Sequence, residues 1–235
     1  MTFAQFTSLV RYKTKTNSTT FTDAEILILA NTFKDDIAAQ IVLANEDYFG
    51  MQFLRNLVAD RREYALPDEI MNSIKYTEVK LDGTNWSHLE EFDLNSYKRT
   101  TDEATIISQF SGKDPAFDLF RRSIWIYSGT PIANVTNGIK LWCIIYPADF
   151  TNLALTTDMS VDPTTTSHGF PRQFHELLAR RVSIEYKSSL PKPQKLTGRE
   201  PYYDLDLQKA IQEITGANQD RTIIATVPYN DGQQY

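Results

Sequence analysis

One apolar stripe constrains this chain more than any other feature. Ile26, Ala30, Phe33, Ile37, Ile41, Ala44 and Tyr48 step by three or four residues, the repeat of one helix face. Thr22-Asp23-Ala24-Glu25 supplies the start: the Thr22 hydroxyl can cap the first turn while Glu25 reaches back. Gly50 supplies the stop. Roughly 27 residues at 1.5 Å each predict a rod of ~40 Å, the spine of the fold. Lys34, Asp35, Gln40, Asn45 and Asp47 read as its opposite, polar face. Ile26-Leu27-Ile28-Leu29 carries apolar surface around more than one face, more than one chain readily covers, and points to assembly.

Helical patterning recurs at both ends. Thr2 and Gln5 form a second capping box ahead of Phe3, Phe6 and Val10, and the polar run Thr14 to Thr20 links this helix to the long one. After Pro171, Phe174, Leu178, Val182 and Tyr186, with Leu177, mark a helix to about Lys187. Pro191 and Pro193 make Ser188 to Arg199 a linker. Pro201 then opens a last helix with Tyr203, Leu207, Ile211 and Ile214, ending near Gly216. Thr222 to Val227 is β-prone, without helical spacing, and the polar end Tyr229 to Tyr235 follows.

Strand signals fill the middle. Phe53, Leu54, Leu57 and Val58, then Tyr64 to Pro67, read as short extended segments, and Ile74–Leu81, Asp82-Gly83 and Trp86–Phe92 as a hairpin. Ser123–Tyr127 and Ile139–Ile145 are the strongest strands, and Asn137-Gly138 reads as a tight turn before the latter. Ser96 to Asp114 reads as a polar surface excursion. The expected class is α+β: a helical bundle of two N-terminal and two C-terminal helices with an inserted antiparallel β subdomain and an extended C-terminal tail. The expected division is 1–50 with 171–216, 51–170, and 217–235.

Composition narrows the function. A net charge of −6 argues against a dedicated nucleic-acid binder. With Cys143 as its single cysteine, a chain cannot form an internal disulfide or a cysteine-based zinc site. Met1–Phe6 lacks the basic and apolar regions of an export signal, and no apolar run approaches the ~20 residues of a membrane helix. The expected setting is soluble, in a reducing cytoplasm, with no membrane partner. The sequons at Asn17, Asn85 and Asn134 are chance matches there.

No nucleophile elbow, phosphate loop, zinc-helix motif or dinucleotide turn is present, and nine glycines leave little material for one. His175 has Ala179 at i+4, so no helical metal pair forms; His88, His168 and His175 read as capping, surface or interface residues. Asp35-Asp36, Glu90-Glu91 and Asp204/Asp206 read as solvated faces or a negative channel wall. Cys143 reads as a buried small hydrophobe, and Trp86, Trp125 and Trp142 as core packing, with a sugar platform second. Arg61-Arg62, Arg121-Arg122 and Arg180-Arg181 read as solvated surface, with docking to an acidic partner the alternative. No catalytic, cofactor or metal residue is assigned.

The order of these pieces resembles the head-to-tail adaptor (connector) proteins of tailed bacteriophages, the ring beneath the portal. The resemblance runs from about Phe3 to Ile214. It is carried by the amphipathic start Phe3 to Tyr48, Arg62-Glu63-Tyr64-Ala65-Leu66-Pro67, the hairpin with Trp86, Ile124-Trp125-Ile126-Tyr127, Gly138-Ile139-Lys140-Leu141-Trp142, Tyr146-Pro147-Ala148, and Phe170-Pro171 with Phe174-His175 and Leu177-Leu178. The excursion 96–114 and the tail after Gly216 depart from the family pattern. The resemblance implies a virion structural protein, made in the host bacterial cytoplasm and located in the neck. It implies a homo-oligomeric ring of twelve copies, the portal protein on one side and a stopper, tail-tube or tail-hub protein on the other. Double-stranded DNA would pass through without sequence-specific binding, as a mildly acidic lining allows. A closed ring needs two different complementary patches. The long helix with the third helix is the expected source of one. The hairpin and the tail are expected to reach the portal or tail neighbour, through Arg221, Thr222, Ile223, Ile224, Ala225, Thr226, Val227, Tyr229 and Tyr235. The rival expectations are another tail component (terminator, tube or baseplate) and a carbohydrate-binding or hydrolytic tail protein.

Overall fold

Both N-terminal capping boxes form. In a computed structural model, Thr2 Oγ1 accepts from Gln5 N–H at 3.3 Å while Gln5 Oε1 accepts from Thr2 N–H at 3.1 Å. Thr22 and Glu25 repeat the exchange at 3.3 and 2.8 Å. The structure describes residues 1–68, 70–92, 102–151, 156–192, 194–196 and 198–224, with backbone only for 72, 73 and 216–224. In chain order the elements are α1 (Phe3–Thr14), α2 (Asp23–Ala44), β1 (Gly50–Leu57), β2 (Glu63–Ala65), β3 (Ile70–Val79), β4 (Ser87–His88), β5 (Glu90–Glu91), α3 (Glu103–Gln109), β6 (Ala116–Phe120), β7 (Ser123–Tyr127), β8 (Val135–Ile145), α4 (His175–Ser189) and α5 (Tyr203–Ile224). The class is α+β, and the chain divides into two compact units: 1–48 with 147–235, and 49–146.

In the first unit α4 packs against α1, α2 and α5. Ile26, Ala30, Phe33, Ile37 and Ile41 are buried along α2 as the stripe requires. The helix stops earlier than its pattern, at Ala44. Asn45 adopts an extended conformation and its side-chain oxygen accepts from Asp47 N–H at 3.4 Å, a local bond that competes with helix. Lys34 is not on a polar face: its side chain is buried, and Nζ donates to Pro147 O at 2.8 Å and Asp149 Oδ1 at 2.6 Å. The last helix, conversely, does not stop at Gly216. α5 runs to Ile224, because a glycine without a left-handed φ costs a helix only ~1 kcal/mol and is no stop signal by itself.

In the second unit two four-stranded sheets, ordered β1-β8-β3-β4 and β2-β7-β6-β5, share one core of Phe53, Tyr64, Val79, Leu89, Phe117, Ile124, Ile126, Ile139, Leu141 and their neighbours. Pairing is antiparallel except β5 with β6, which run parallel. The hairpin's return strand is divided: β4 pairs with β3, then the buried Leu89 carries the chain across to β5 in the other sheet. Asn137-Gly138 lies inside β8, not in a turn before it. Asn137 has φ 51° and its N–H donates to Asn56 Oδ1 at 2.8 Å, opposite a register shift in β1. These are the marks of a bulge, which likewise demands left-handed backbone. Part of the expected excursion is ordered structure too: Asp102 caps α3, and Ile106 is buried beside Tyr127.

Candidate interaction surface

The sheet β1-β8-β3-β4 has one face on the core and one outward, and the outward face is not uniformly polar. The register places Gln52, Trp142 and Tyr76 in one cross-strand row, and Leu54, Lys140, Glu78 and His88 in the next. Leu54, Tyr76 and Trp142 are 44%, 40% and 41% exposed. Cross-strand neighbours fix their surroundings. Tyr76 stacks on His88 with centroids 4.6 Å apart, and its hydroxyl donates to Glu78 Oε1 at 3.2 Å. Lys140 Nζ is ion-paired with Glu78 and sits 4.1 Å from the Trp86 ring centroid, with Lys80 Nζ 4.5 Å from the same centroid. Trp86 is thus roofed by two ammoniums, whereas Trp142 faces solvent. Core packing describes Trp125 and Trp86 in part, and does not describe Trp142. An exposed Trp–Tyr–Leu group on a rigid sheet is suited to burying against a partner.

The first unit also leaves apolar groups in solvent. On α2, Ile28 and Leu43 are 66% and 85% exposed, so the Ile26–Leu29 run does spread beyond the buried stripe.

Of the arginine pairs, two have one member removed from solvent. Arg62 is buried, donates to both Glu103 oxygens at 2.5 and 2.6 Å and to Ile126 O at 3.2 Å, and holds the Glu103 carboxyl below its usual range through those bonds. Arg180, also buried, donates to Asp206 at 2.5 Å and Glu176 at 2.9 Å; Arg199 adds a second guanidinium on Asp206 at 2.6 Å. Hydrogen bonds from Arg199 and Arg180 keep the Asp206 carboxyl low. These are structural ion pairs, not the solvated surface expected of them. The signal for that is weak: an arginine just before a short strand, or between two members of a helical apolar stripe, looks like any surface charge until its partner is known.

His175 is buried, its Nε2 within 2.8 Å of Phe170 O, and burial lowers its pKa. Its Nδ1 has no partner among the described residues. His168 lies apart, 3.7 Å from Asp162. Cys143 is buried and its thiol is pushed up to about 12 by desolvation, as expected of a small buried hydrophobe. No group of three or more His, Cys, Asp or Glu side chains placed for a metal exists among the described residues, and no helix there is long and apolar enough to cross a membrane. Arg221, Thr222, Ile223 and Ile224 fall in the last turn of α5, not in an extended strand. Ala225, Thr226, Val227, Tyr229 and Tyr235 lie outside the described residues. No known protein family matches the chain, and no curated protein does either.

Proposed function

We propose that the chain is a head-to-tail adaptor of a tailed bacteriophage, a non-enzymatic structural protein of the virion neck. Copies form a ring, twelve to match the portal, with the portal protein on one side and a stopper or tail protein on the other, and double-stranded DNA passes through. In this reading the helices of both chain ends form one bundle and the β unit is an insertion. The observation that carries it is the exposed group of Leu54, Tyr76 and Trp142 in two adjacent rows of one sheet. A surface of that kind is built to be covered by another protein. The chain-order resemblance supplies the identity of the assembly; one of its motifs, Tyr146-Pro147-Ala148, spans the point where the second unit ends and the first resumes. A net charge of −6 fits a conduit that must not retain phosphates. The test is a cryo-EM map of the neck of particles of the virus that encodes it. A ring of copies of this chain between portal and tail is the expected result; a trace elsewhere in the tail shifts the role to tube, terminator or baseplate, and absence from the particle overturns the reading.

A saccharide-binding role is the second reading, favoured by the open face of Trp142 beside Tyr76. It predicts quenching of tryptophan fluorescence by host-surface saccharides, lost in Trp142→Ser.

A further inference from the structure

The β unit is closed along one side and open along the other. On the closed side the chain itself passes from β4 to β5 through the buried Leu89, joining the far edges of both sheets. On the open side β1 is the edge of one sheet and β2 the edge of the other. Between them lies a groove of about 470 Å³ lined by Leu54, Arg55, Asn56, Arg61, Tyr64 and Ala65, among others.

Backbone phase shows which groups face that groove. Ile145 N–H donates to Phe49 O, so in the antiparallel register the odd residues of β1 bond to β8, and Gln52 and Leu54 turn their N–H and C=O to the free edge. Leu66 N–H to Arg122 O and Ile126 N–H to Arg62 O set β2 likewise, leaving Glu63 and Ala65 outward, with Glu63 O accepting from Arg61 Nε at 2.7 Å. The outward backbone groups of Gln52, Leu54 and Ala65 have no hydrogen bond among the described residues. An open edge invites strand addition, and an inward-pointing charge is a common guard against promiscuous pairing. Arg55 has that position: it shares a face with the buried Phe53 and Leu57 yet is itself exposed. Arg61 stacks on Tyr64, its guanidinium carbon 5.4 Å from the ring centroid. Neither guanidinium meets a carboxylate among the described residues. A guard of this kind excludes apolar and basic strands and admits an acidic one.

The opposite edge of the same unit carries that chemistry. Glu90 and Glu91 form β5, are both exposed, and have no ion pair among the described residues. We propose that the β1/β2 edge of one copy receives the β4/β5 edge of the next, so that the basic edge bearing Arg55 and Arg61 meets the acidic edge bearing Glu90 and Glu91. Each sheet then continues into its own counterpart, β1 onto the neighbour's β4 and β2 onto its β5. The contact joins two different patches, the heterologous kind that generates rings. The closed ring rests on the adaptor reading; the edge pairing does not.

Complementary charge reversal tests it by sedimentation of purified full chain. Wild-type protein should associate with rising concentration. Arg55→Glu with Arg61→Glu should weaken association by ~10-fold or more, and so should Glu90→Arg with Glu91→Arg, each by placing like charges across the contact. An equimolar mixture of the two variants should restore association, because the intact groove of one meets the intact acidic edge of the other and the two reversed patches again carry opposite charge. Arg55→Glu alone, which leaves the Arg61–Tyr64 stack untouched, separates a lost contact from a lost fold, and near-ultraviolet circular dichroism checks each variant. A monomeric wild type, or variants that associate as the wild type does, overturns the proposal. A neck ring joined through other surfaces overturns this interface and leaves the adaptor reading standing; edge-joined copies that occur in no virion do the reverse.

Discussion

The Lys34 ammonium, buried on α2, lies 2.6 Å from the carboxylate of Asp149, which is 115 residues away in sequence and 73% exposed at its side chain. The same Nζ donates to Pro147 O at 2.8 Å and lies 3.2 Å from Asp35 Oδ1. Asn31 extends the seam, accepting from Phe150 N–H at 2.8 Å and donating to Phe150 O at 3.3 Å. One face of α2 therefore holds the segment 147–150 where the chain re-enters the first unit.

Lys34→Ala should destabilise the protein by about 3 kcal/mol, since it removes a buried cation from its acceptors and leaves a void. Lys34→Met, which refills the volume without a charge to satisfy, should recover much of that loss. Urea unfolding midpoints of the two variants check the order. Equal loss in both would show that charge, not volume, holds the seam.

His175 gives the first unit a pH dependence. Burial depresses its folded pKa below the unfolded value near 6.5, against an opposing pull from Phe170 O. The unfolded chain then binds the extra proton, so the contribution is complete above about pH 6.5 and is lost as pH falls through the folded value. Thermal midpoints should fall between pH 7 and pH 5, and His175→Gln should flatten that slope while lowering the midpoint at pH 7. An unchanged slope would exclude His175 as its source.

Asp206 acts at lower pH. Hydrogen bonds from Arg199 and Arg180 depress its folded pKa, so its contribution is present above the ordinary carboxylate range and is lost as pH falls below it. Asp206→Asn should lower stability at pH 7, mostly through the buried Arg180, which then keeps Glu176 as its one carboxylate partner among the described residues. It should also shrink the stability lost between pH 5 and pH 3, read from urea midpoints at each pH. Glu176→Gln, with its carboxylate more than half exposed, is the control and should cost far less.

Helix starts and the apolar stripe were legible because they are local. A capping box is four residues, and Ile26 to Ile41 repeat within one element. The errors fall where a distant partner decides. Lys34 looks like any surface lysine until Pro147 and Asp149 are beside it, and Arg62 and Arg180 are surface charges until Glu103 and Asp206 arrive. Asn137-Gly138 signals left-handed backbone correctly, but a bulge and a turn use the same signal, and only the register with Asn56 separates them. The interaction surface was the least legible. Trp142 sits in a run apolar at nearly every position, and which side of β8 is left uncovered depends on the second sheet, not on β8 itself.

Gly129, in the loop after β7, shows the same limit. A Cβ there would stand 2.3 Å from Phe110 O and 3.1 Å from Gly112 N, both backbone atoms that cannot swing aside. Gly129→Ala should therefore displace the chain after α3 and cost about 2–3 kcal/mol. Gly198→Ala, where no atom lies within 4 Å, tests the alternative of a purely conformational cost: its φ of 61° should limit the loss to ~1 kcal/mol. Comparable losses at both sites would show that backbone conformation, not the close approach, governs Gly129.

Trp142 and Tyr76 separate docking from folding. Both are near 40% exposed, and Trp142 faces away from the core that Leu141 and Cys143 enter from the same strand. Trp142→Ser with Tyr76→Ser should shift the unfolding free energy only slightly, as for sites on a sheet's outward face. On the adaptor reading, with the sheet face as a docking surface, the pair should nonetheless abolish incorporation into particles, because large aromatic anchors carry most of the energy of such contacts. Complementation of a virus lacking the gene, scored by tail attachment, reads this directly. Tailed, infectious particles from the doubly substituted chain would remove the sheet face from the assembly and leave Ile28 and Leu43 of α2 as the apolar groups still to be covered.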